Sequence, residues 1–197
     1  AQAAKDACVF ASGALKTIAV SFMKIANDLR WLASGPMCGI HEIHLPELQP
    51  GSSIMPGKVN PVIPESVMQL SAQVQGNDLV VQIGGQHGNF ELNVMMPVIA
   101  GNLFESIELL TNGSTMLANK CINGIEANET RCTELVEKSL MLVTNLNREI
   151  GYDKAAQIAK RAYKEGKTIR SILKDDKILD EAKINELLDP RTMLQPK

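Results

Sequence analysis

The chain has 197 residues, of which 45% are hydrophobic and 21% charged, a balance typical of globular proteins and not of disordered chains. Its formal net charge of -2 gives no support for nucleic-acid binding, which needs a basic face, while a small anionic substrate needs only a local positive site. Aromatic residues make up 4% and methionine occurs nine times, which favours a core of packed helices.

The first predicted element is a helix over residues 1–33, because apolar residues recur along it at three- and four-residue steps. These residues are Leu15, Ile18, Phe22, Ile25, Leu29 and Leu32. A Ser-Gly-Pro sequence at 34–36 ends the helix. Residues 35–61 are rich in proline and glycine, which predicts irregular structure. A loop of that length within a helical protein is usually functional.

Two further long helices are predicted, from Pro64 to Ile83 and from Pro97 to Cys121, with Gly84 and Gly85 interrupting the chain between them. The third helix has an apolar stripe of Ile99, Leu103, Ile107, Leu110, Ser114, Leu117 and Cys121. After Gly124 the helical patterns become shorter and more charged, at 128–138, 152–165, 167–174 and 180–187. No β-rich segment and no internal repeat is recognisable.

These patterns predict an all-α protein with a domain boundary at residue 127. Residues 1–127 are expected to form part of a long-helix bundle that carries a functional loop, and residues 128–197 a small C-terminal helical domain. Three long helices cannot cover their own apolar faces, so we expect further sequence or partner chains to complete the bundle. The chain starts with alanine inside a helical pattern, which suggests a portion of a longer protein.

The cysteines and the hydropathy pattern exclude two classes of site. Cys8, Cys38, Cys121 and Cys132 form no C-x-x-C pair and no cluster with zinc spacing, so we expect free thiols and no bound metal. No uninterrupted apolar run reaches the ~18 residues of a membrane span, so no membrane association is expected.

The most informative segment is residues 51–61, Gly-Ser-Ser-Ile-Met-Pro-Gly-Lys-Val-Asn-Pro, which we call the signature loop. Glycine and proline make it a poor helix or strand, while backbone N–H groups, two hydroxyls, an ammonium and an amide can bind anions. It is not a nucleotide-binding P-loop, because five residues separate Gly51 from Gly57 and Val59 stands where Ser or Thr is required. A purely structural turn remains an alternative, since Ser, Gly and Pro are ordinary turn residues.

The signature loop resembles that of the fumarase/aspartase superfamily, in the form found in class II fumarate hydratases. The similarity continues through Gly88-Asn89-Phe90-Glu91-Leu92-Asn93-Val94 and covers essentially the whole chain in order. Its other segments are 23–30, 34–36, 119–125, 140–144, 150–156 and Met193-Leu194. The resemblance implies the C-terminal portion of a longer enzyme: half of a central helical domain and the small C-terminal domain.

The resemblance implies reversible hydration of fumarate to L-malate, a citric acid cycle reaction, without a cofactor. Ser52 is then the base that removes the C3 proton of malate. Glu65 orients a histidine that lies upstream in the family and outside this chain. The residues implied to hold the substrate carboxylates are Ser53, Lys58, the Val59 backbone and Asn60.

The resemblance also implies a homotetramer joined through the central helices, with each active site built from three chains. This chain alone is therefore expected to be inactive. The expected location is the cytoplasm, or the mitochondrion in a eukaryote. His41, His44 and His87 are interpreted as structural, because a lone histidine more often is.

Two departures from the family pattern keep alternatives open. Met37 and Cys38 follow Ser-Gly-Pro where family members usually have arginine, and Val62-Ile63 stands where many fumarases have Thr-Gln. The Val-Ile form also resembles aspartases, so an aspartate ammonia-lyase is one alternative, although residues 88–94 favour fumarase. A non-catalytic scaffold, as in lens crystallins of this superfamily, is the other; the intact signature loop argues against it.

Overall fold

The computed structural model describes residues 2–194, and most of these residues are helical. The chain divides into two compact units, Ala1–Ala127 and Asn128–Lys197. Each unit has its own buried core, and the signature loop belongs to the first unit.

Three long helices form the first unit: α1 (Asp6–Leu32), α2 (Val62–Gln86) and α3 (Met96–Lys120). The predicted long helices are thus confirmed, but the predicted interruption at Gly84 and Gly85 is wrong, since α2 continues to Gln86. Gly84 is buried, and a Cβ added there would lie 2.7 Å from Cγ1 of Ile99. The glycine allows close contact between α2 and α3 and does not break the helix.

The packed faces of the three helices repeat every seven residues, the spacing of side-by-side helices in coiled-coil packing. The buried residues in this register are Ser12, Ala19 and Ala26 on α1, Val67, Val74 and Val81 on α2, and Ile99, Ser106 and Gly113 on α3. Small side chains dominate on α1 because they let helix axes approach closely.

The predicted apolar stripes are partly wrong for this reason. Ile18 and Ile25 on α1 are 44% and 43% exposed, and Ile107 on α3 is 44% exposed. Ala19 and Ala26, one residue further along, are fully buried instead. Hydrophobic periodicity selects the larger residues, whereas the contact between α1 and α2 uses the smaller ones.

Large apolar side chains therefore remain exposed on the long helices, including Phe10, Trp31 and Phe104. Although α1 lacks an uninterrupted apolar run, it is long and apolar enough to cross a membrane, with an 18-residue window of mean hydropathy 1.5. One such helix is weak evidence for a span, because core helices of soluble bundles and signal sequences meet the same criterion. The absence of a membrane partner stays a prediction.

Two very short antiparallel pairs join the loops of the first unit. Strand β1 (Ile43–His44) pairs with β4 (Glu126–Ala127), and β2 (Gly88–Asn89) pairs with β3 (Leu92–Asn93). Each strand has two residues, which is too short to give the alternating pattern by which a strand is recognised in a sequence.

The second unit contains α4 (Glu129–Lys138), α5 (Asn147–Ile150), α6 (Tyr152–Glu165), α7 (Ile169–Asp175) and α8 (Glu181–Leu187). A 3₁₀ segment at Leu140–Leu146, which the sequence analysis did not identify, supplies Leu142 and Leu146 to the core. Side chains cap the N-termini of α4, α7 and α8, as where Oγ1 of Thr168 accepts the N–H of Ser171 at 3.2 Å. Gly166 ends α6 in the left-handed conformation, with φ of 65°.

Candidate active site

The signature loop lies between α1 and α2 and is closed at its base. Pro50 and Val59 form an isolated antiparallel bridge. The N–H of Gly51 donates to the carbonyl of Lys58 at 2.7 Å, and the side-chain amide of Asn60 donates to the carbonyl of Gly51 at 3.0 Å. These contacts bring the start of the loop against its end.

The tip of the loop extends into solvent. The Lys58 N–H donates to the Met55 carbonyl at 3.3 Å, and Gly57 has φ of 76°, in the left-handed region that glycine adopts without strain. Ile54 at the tip is 91% exposed. A large apolar side chain in this position gains nothing from the fold of the described chain.

Ser52 directly follows the closed base of the loop. Its hydroxyl oxygen accepts the backbone N–H groups of Ile54 at 3.1 Å and Met55 at 3.3 Å. This is the geometry of a serine turn, in which the side chain supports the backbone. The same two donors also favour negative charge on the serine oxygen, because hydrogen bonds to a charged form stabilise it.

The remaining loop residues predicted to bind substrate are at the surface or near it. Ser53 and Lys58 are exposed, Val59 is 40% exposed, and Asn60 is half-buried beneath the loop. Within residues 2–194, no carboxylate forms an ion pair with the Lys58 ammonium. The N-terminus of α2 begins immediately after the loop and adds a partial positive charge there.

Glu65 lies in the first turn of α2, where its backbone N–H donates to the Pro61 carbonyl at 3.1 Å. Its side chain is half-buried, and its carboxylate makes no hydrogen bond or ion pair with any residue that the structure describes. Ile63 and Val67 on either side are buried against Cys121 and fix this turn. Burial raises the pKa of the Cys121 thiol, which keeps it protonated and unreactive.

The structure therefore places the six predicted site residues on the closed loop and the adjoining helical turn. No side chain of the six hydrogen-bonds directly to another, and the side chains of Asn60 and Ser52 instead bond to backbone groups of the loop. In the described part of the chain, no group of three or more His, Cys, Asp and Glu side chains could hold a metal ion. No disulfide joins the four cysteines in the part of the chain that the structure describes, and Cys38 is exposed.

His41 and His44 lie together in the segment before the loop. Their ring centroids are 4.7 Å apart and the rings meet edge to face. His41 is half-buried and has φ of 55°, whereas His87 is exposed near the end of α2. None of the three residues belongs to the signature loop, and their structural interpretation stays a prediction.

A buried polar cluster between α1 and α2 was missed by the sequence analysis. Asp78 is 2% exposed and accepts hydrogen bonds from Ser12 Oγ at 2.8 Å, Lys16 Nζ at 2.5 Å and Gln82 Nε2 at 2.5 Å. Burial raises the pKa of the Asp78 carboxyl, but these three donors together outweigh burial and hold the pKa below its ordinary value.

The neighbouring residue, Asn77, forms buried hydrogen bonds between α2 and α3, as Asp78 does between α2 and α1. It is also 2% exposed, and its amide donates to Glu105 Oε2 at 2.8 Å and to Ser106 Oγ at 3.2 Å. An adjacent Asn-Asp pair between the buried Val74 and Val81 was the available sequence signal. The cluster is part of the scaffold that supports the loop.

Two family models match the chain: "Lyase" over residues 1–76 and "Fumarase C C-terminus" over residues 142–195. A class II fumarate hydratase from Mycobacterium tuberculosis is 56% identical over 191 residues, covering 97% of this chain and 40% of that protein. The chain spans 40–41% of the length of the first curated relatives it matches.

Solved structures show the same relationship. A fumarate lyase:delta crystallin from Brucella melitensis in a cobalt-bound crystal has a TM-score of 0.92 and 49% identity, over 98% of this chain and 42% of that one. A class II fumarase from Schistosoma mansoni has a TM-score of 0.89 and 41% identity, over 98% and 40% respectively. The chain belongs to the fumarase/aspartase superfamily and is similar to the C-terminal portion of class II fumarases.

Proposed function

We propose that this chain is the C-terminal portion of a fumarate hydratase that interconverts fumarate and L-malate in the citric acid cycle. The observation that carries the proposal is Ser52, whose hydroxyl oxygen accepts two backbone N–H groups inside a closed loop that also carries Lys58. The names of the curated relatives support the same reaction. The proposal concerns the full-length protein; the described chain alone is expected to be inactive.

The difficult step in this reaction is removal of a weakly acidic proton next to a carboxylate. Negative charge then accumulates on that carboxylate, so the enzyme needs a base at the carbon and fixed hydrogen-bond donors at the developing charge. Serine is a poor base unless its alkoxide is stabilised. The N–H groups of Ile54 and Met55 lie within 3.3 Å of the Ser52 oxygen and provide that stabilisation. Ser52 then accepts the C3 proton of malate.

The substrate is a dicarboxylate, and the loop offers donors of matching charge. The exposed Lys58 ammonium supplies a full positive charge, and the α2 N-terminus supplies a partial one. The Ser53 hydroxyl, the Val59 backbone N–H and the Asn60 amide complete the proposed binding set. No cofactor enters this scheme.

Glu65 is proposed to orient the histidine that acts on the hydroxyl side of the substrate. A carboxylate in this role fixes the imidazole tautomer and stabilises the imidazolium. Glu65 is half-buried on a helical turn that the buried Ile63 and Val67 hold in place, so its carboxylate is well positioned to hydrogen-bond to that histidine. The histidine comes from sequence that this chain does not contain.

We further propose a homotetramer in the cytoplasm, or in the mitochondrion of a eukaryote. Exposed apolar side chains on the long helices, such as Phe10 and Phe104, support burial against other chains. No nucleic-acid partner is proposed, because the net charge of -2 gives no support for the basic face that such binding needs. No membrane partner is proposed either.

The two alternatives differ in what they require of the loop. Val62 and Ile63 are also compatible with an aspartate ammonia-lyase, which would use the same loop on a different substrate. A non-catalytic scaffold is favoured by the delta crystallin in the name of the Brucella melitensis protein. The scaffold would not need Ser52, Lys58 or Glu65, which are all present.

Replacement of Ser52 by alanine in the full-length protein tests the role of the base. We expect kcat to fall by about 10³-fold or more, because proton transfer loses its acceptor. Ser53→Ala is the matched comparison, since it removes a neighbouring hydroxyl that is proposed only to bind; its main effect is expected on KM. Retention of most of kcat by Ser52→Ala, with an unchanged circular dichroism spectrum, would show that Ser52 is not the base.

A further inference from the structure

We propose that Gly51 and Asn60 form a clasp that positions Ser52 for catalysis. Asn60 is then a positioning residue as well as a candidate substrate ligand, and Gly51 gains a role that the family resemblance did not suggest. The catalytic part of this inference rests on the proposed function. The clasp itself does not.

Both polar groups of the Gly51 peptide backbone are held by the opposite end of the loop. Its N–H donates to the Lys58 carbonyl at 2.7 Å, and its carbonyl accepts the Asn60 side-chain amide at 3.0 Å. The Gly51 carbonyl belongs to the peptide group that enters Ser52. The hydrogen bond from Asn60 therefore restrains the peptide group between Gly51 and Ser52, and with it the position of the Ser52 Cα.

The residue at position 51 must be glycine for these contacts to form. A Cβ added there would lie 2.8 Å from the Lys58 carbonyl oxygen, 2.9 Å from the Asn60 backbone nitrogen and 3.0 Å from Asn60 Oδ1. The first two of these atoms are backbone and cannot rotate away. Alanine at 51 would therefore separate the two ends of the loop without removing any group that could contact the substrate.

The amide of Asn60 has two N–H protons, and one is committed to Gly51. The second can reach a substrate carboxylate while the first keeps the loop closed. A change at Asn60 therefore affects both substrate binding and the clasp, whereas a change at Gly51 affects only the clasp. This difference separates the two roles.

The loop itself provides a readout that does not depend on activity. The Lys58 side chain is exposed, but its carbonyl accepts the Gly51 N–H and Val59 pairs with Pro50, so we expect trypsin to cleave the Lys58–Val59 bond only when the loop opens at its base. In the full-length protein without substrate, we expect Gly51→Ala and Asn60→Asp each to accelerate cleavage after Lys58 by about tenfold, because local opening controls proteolysis. Mass spectrometry of the released fragments identifies this cut among others.

Gly101→Ala is the matched control, because it makes the same chemical change on α3 where nothing lies within 4 Å of the added Cβ. Its cleavage after Lys58 is expected to equal that of the wild type. Steady-state kinetics with malate give the second readout: Gly51→Ala should lower kcat about tenfold or more while KM changes little, since positioning affects the chemical step.

Each outcome decides a separate point. Wild-type cleavage after Lys58 in both Gly51→Ala and Asn60→Asp would overturn the clasp, and a wild-type kcat in Gly51→Ala would overturn its role in positioning Ser52. A wild-type protein that does not turn over malate would refute the proposed function, while the cleavage experiment would still decide whether the loop is held as described.

Discussion

The buried cluster around Asp78 gives the sharpest test of how the scaffold is stabilised. Replacing Asp78 with alanine removes the acceptor that Ser12, Lys16 and Gln82 share. The Lys16 side chain is 39% exposed and can turn to water, so loss of its ion pair costs little. Ser12, in contrast, is 3% exposed, so its hydroxyl loses its acceptor in a region that water does not reach.

The expected cost follows from these contacts. A stranded buried hydroxyl at Ser12 costs about 1–3 kcal/mol, and loss of the bond from the Gln82 amide to the charged acceptor is of similar size. Relief of the carboxylate's own desolvation offsets part of this sum. We therefore expect Asp78→Ala to lower the free energy of unfolding by about 3 kcal/mol. The variant with both Asp78→Ala and Ser12→Ala should lose about 1 kcal/mol less free energy of unfolding than the summed losses of the two single variants.

Urea unfolding of the full-length protein, followed by far-ultraviolet circular dichroism at one fixed protein concentration, measures these differences. Asp28→Ala is the control, because Asp28 is 48% exposed and forms only a surface ion pair with Lys24. Its effect should be below about 0.5 kcal/mol. If Asp78→Ala costs no more than Asp28→Ala, the cluster does not stabilise the packing of α1 against α2.

Two further predictions concern stability. Because the folded state holds the pKa of Asp78 below its unfolded value of about 3.9, its contribution is present above that pH and is lost as pH falls through the folded pKa. The stability difference between wild type and Asp78→Ala should therefore shrink on titration below about pH 4, and a difference that grows there would contradict the sign. In the second unit, Leu173 is fully buried, and Leu173→Ala should cost about 3 kcal/mol in the same urea assay. Leu194→Ala, at an 80% exposed position, should change stability by less than about 0.5 kcal/mol, and equal effects of the two would refute the assigned core.

The long helices were predictable from the sequence because their apolar residues recur over several turns. The sequence did not, however, predict which face of each helix is buried. Ile25 is larger and more apolar than Ala26, yet Ala26 is the buried residue, because the contact between α1 and α2 requires small side chains. A sequence alone cannot separate a face that packs within the chain from one that stays exposed on it. Gly84 was wrongly predicted to end α2 for a similar reason, since a glycine at a close contact between helices cannot be distinguished in the sequence from a glycine at a helix end.

The candidate site was located by its residues, but its internal contacts were not predictable. The pattern identified Ser52 and Lys58 as chemistry-bearing groups, and the bond from Asn60 to the Gly51 carbonyl depends on how the loop folds back. The backbone donors to the Ser52 oxygen likewise depend on dihedral angles that no motif specifies. Asp78 was missed because a single buried carboxylate has no motif of its own.

The most direct test of the central claim is the absorbance of fumarate after addition of L-malate to the full-length protein, with L-aspartate in a parallel cuvette. We expect fumarate from malate alone. Fumarate from aspartate alone would assign the loop to an ammonia-lyase, and no fumarate from either substrate would contradict a catalytic role for Ser52.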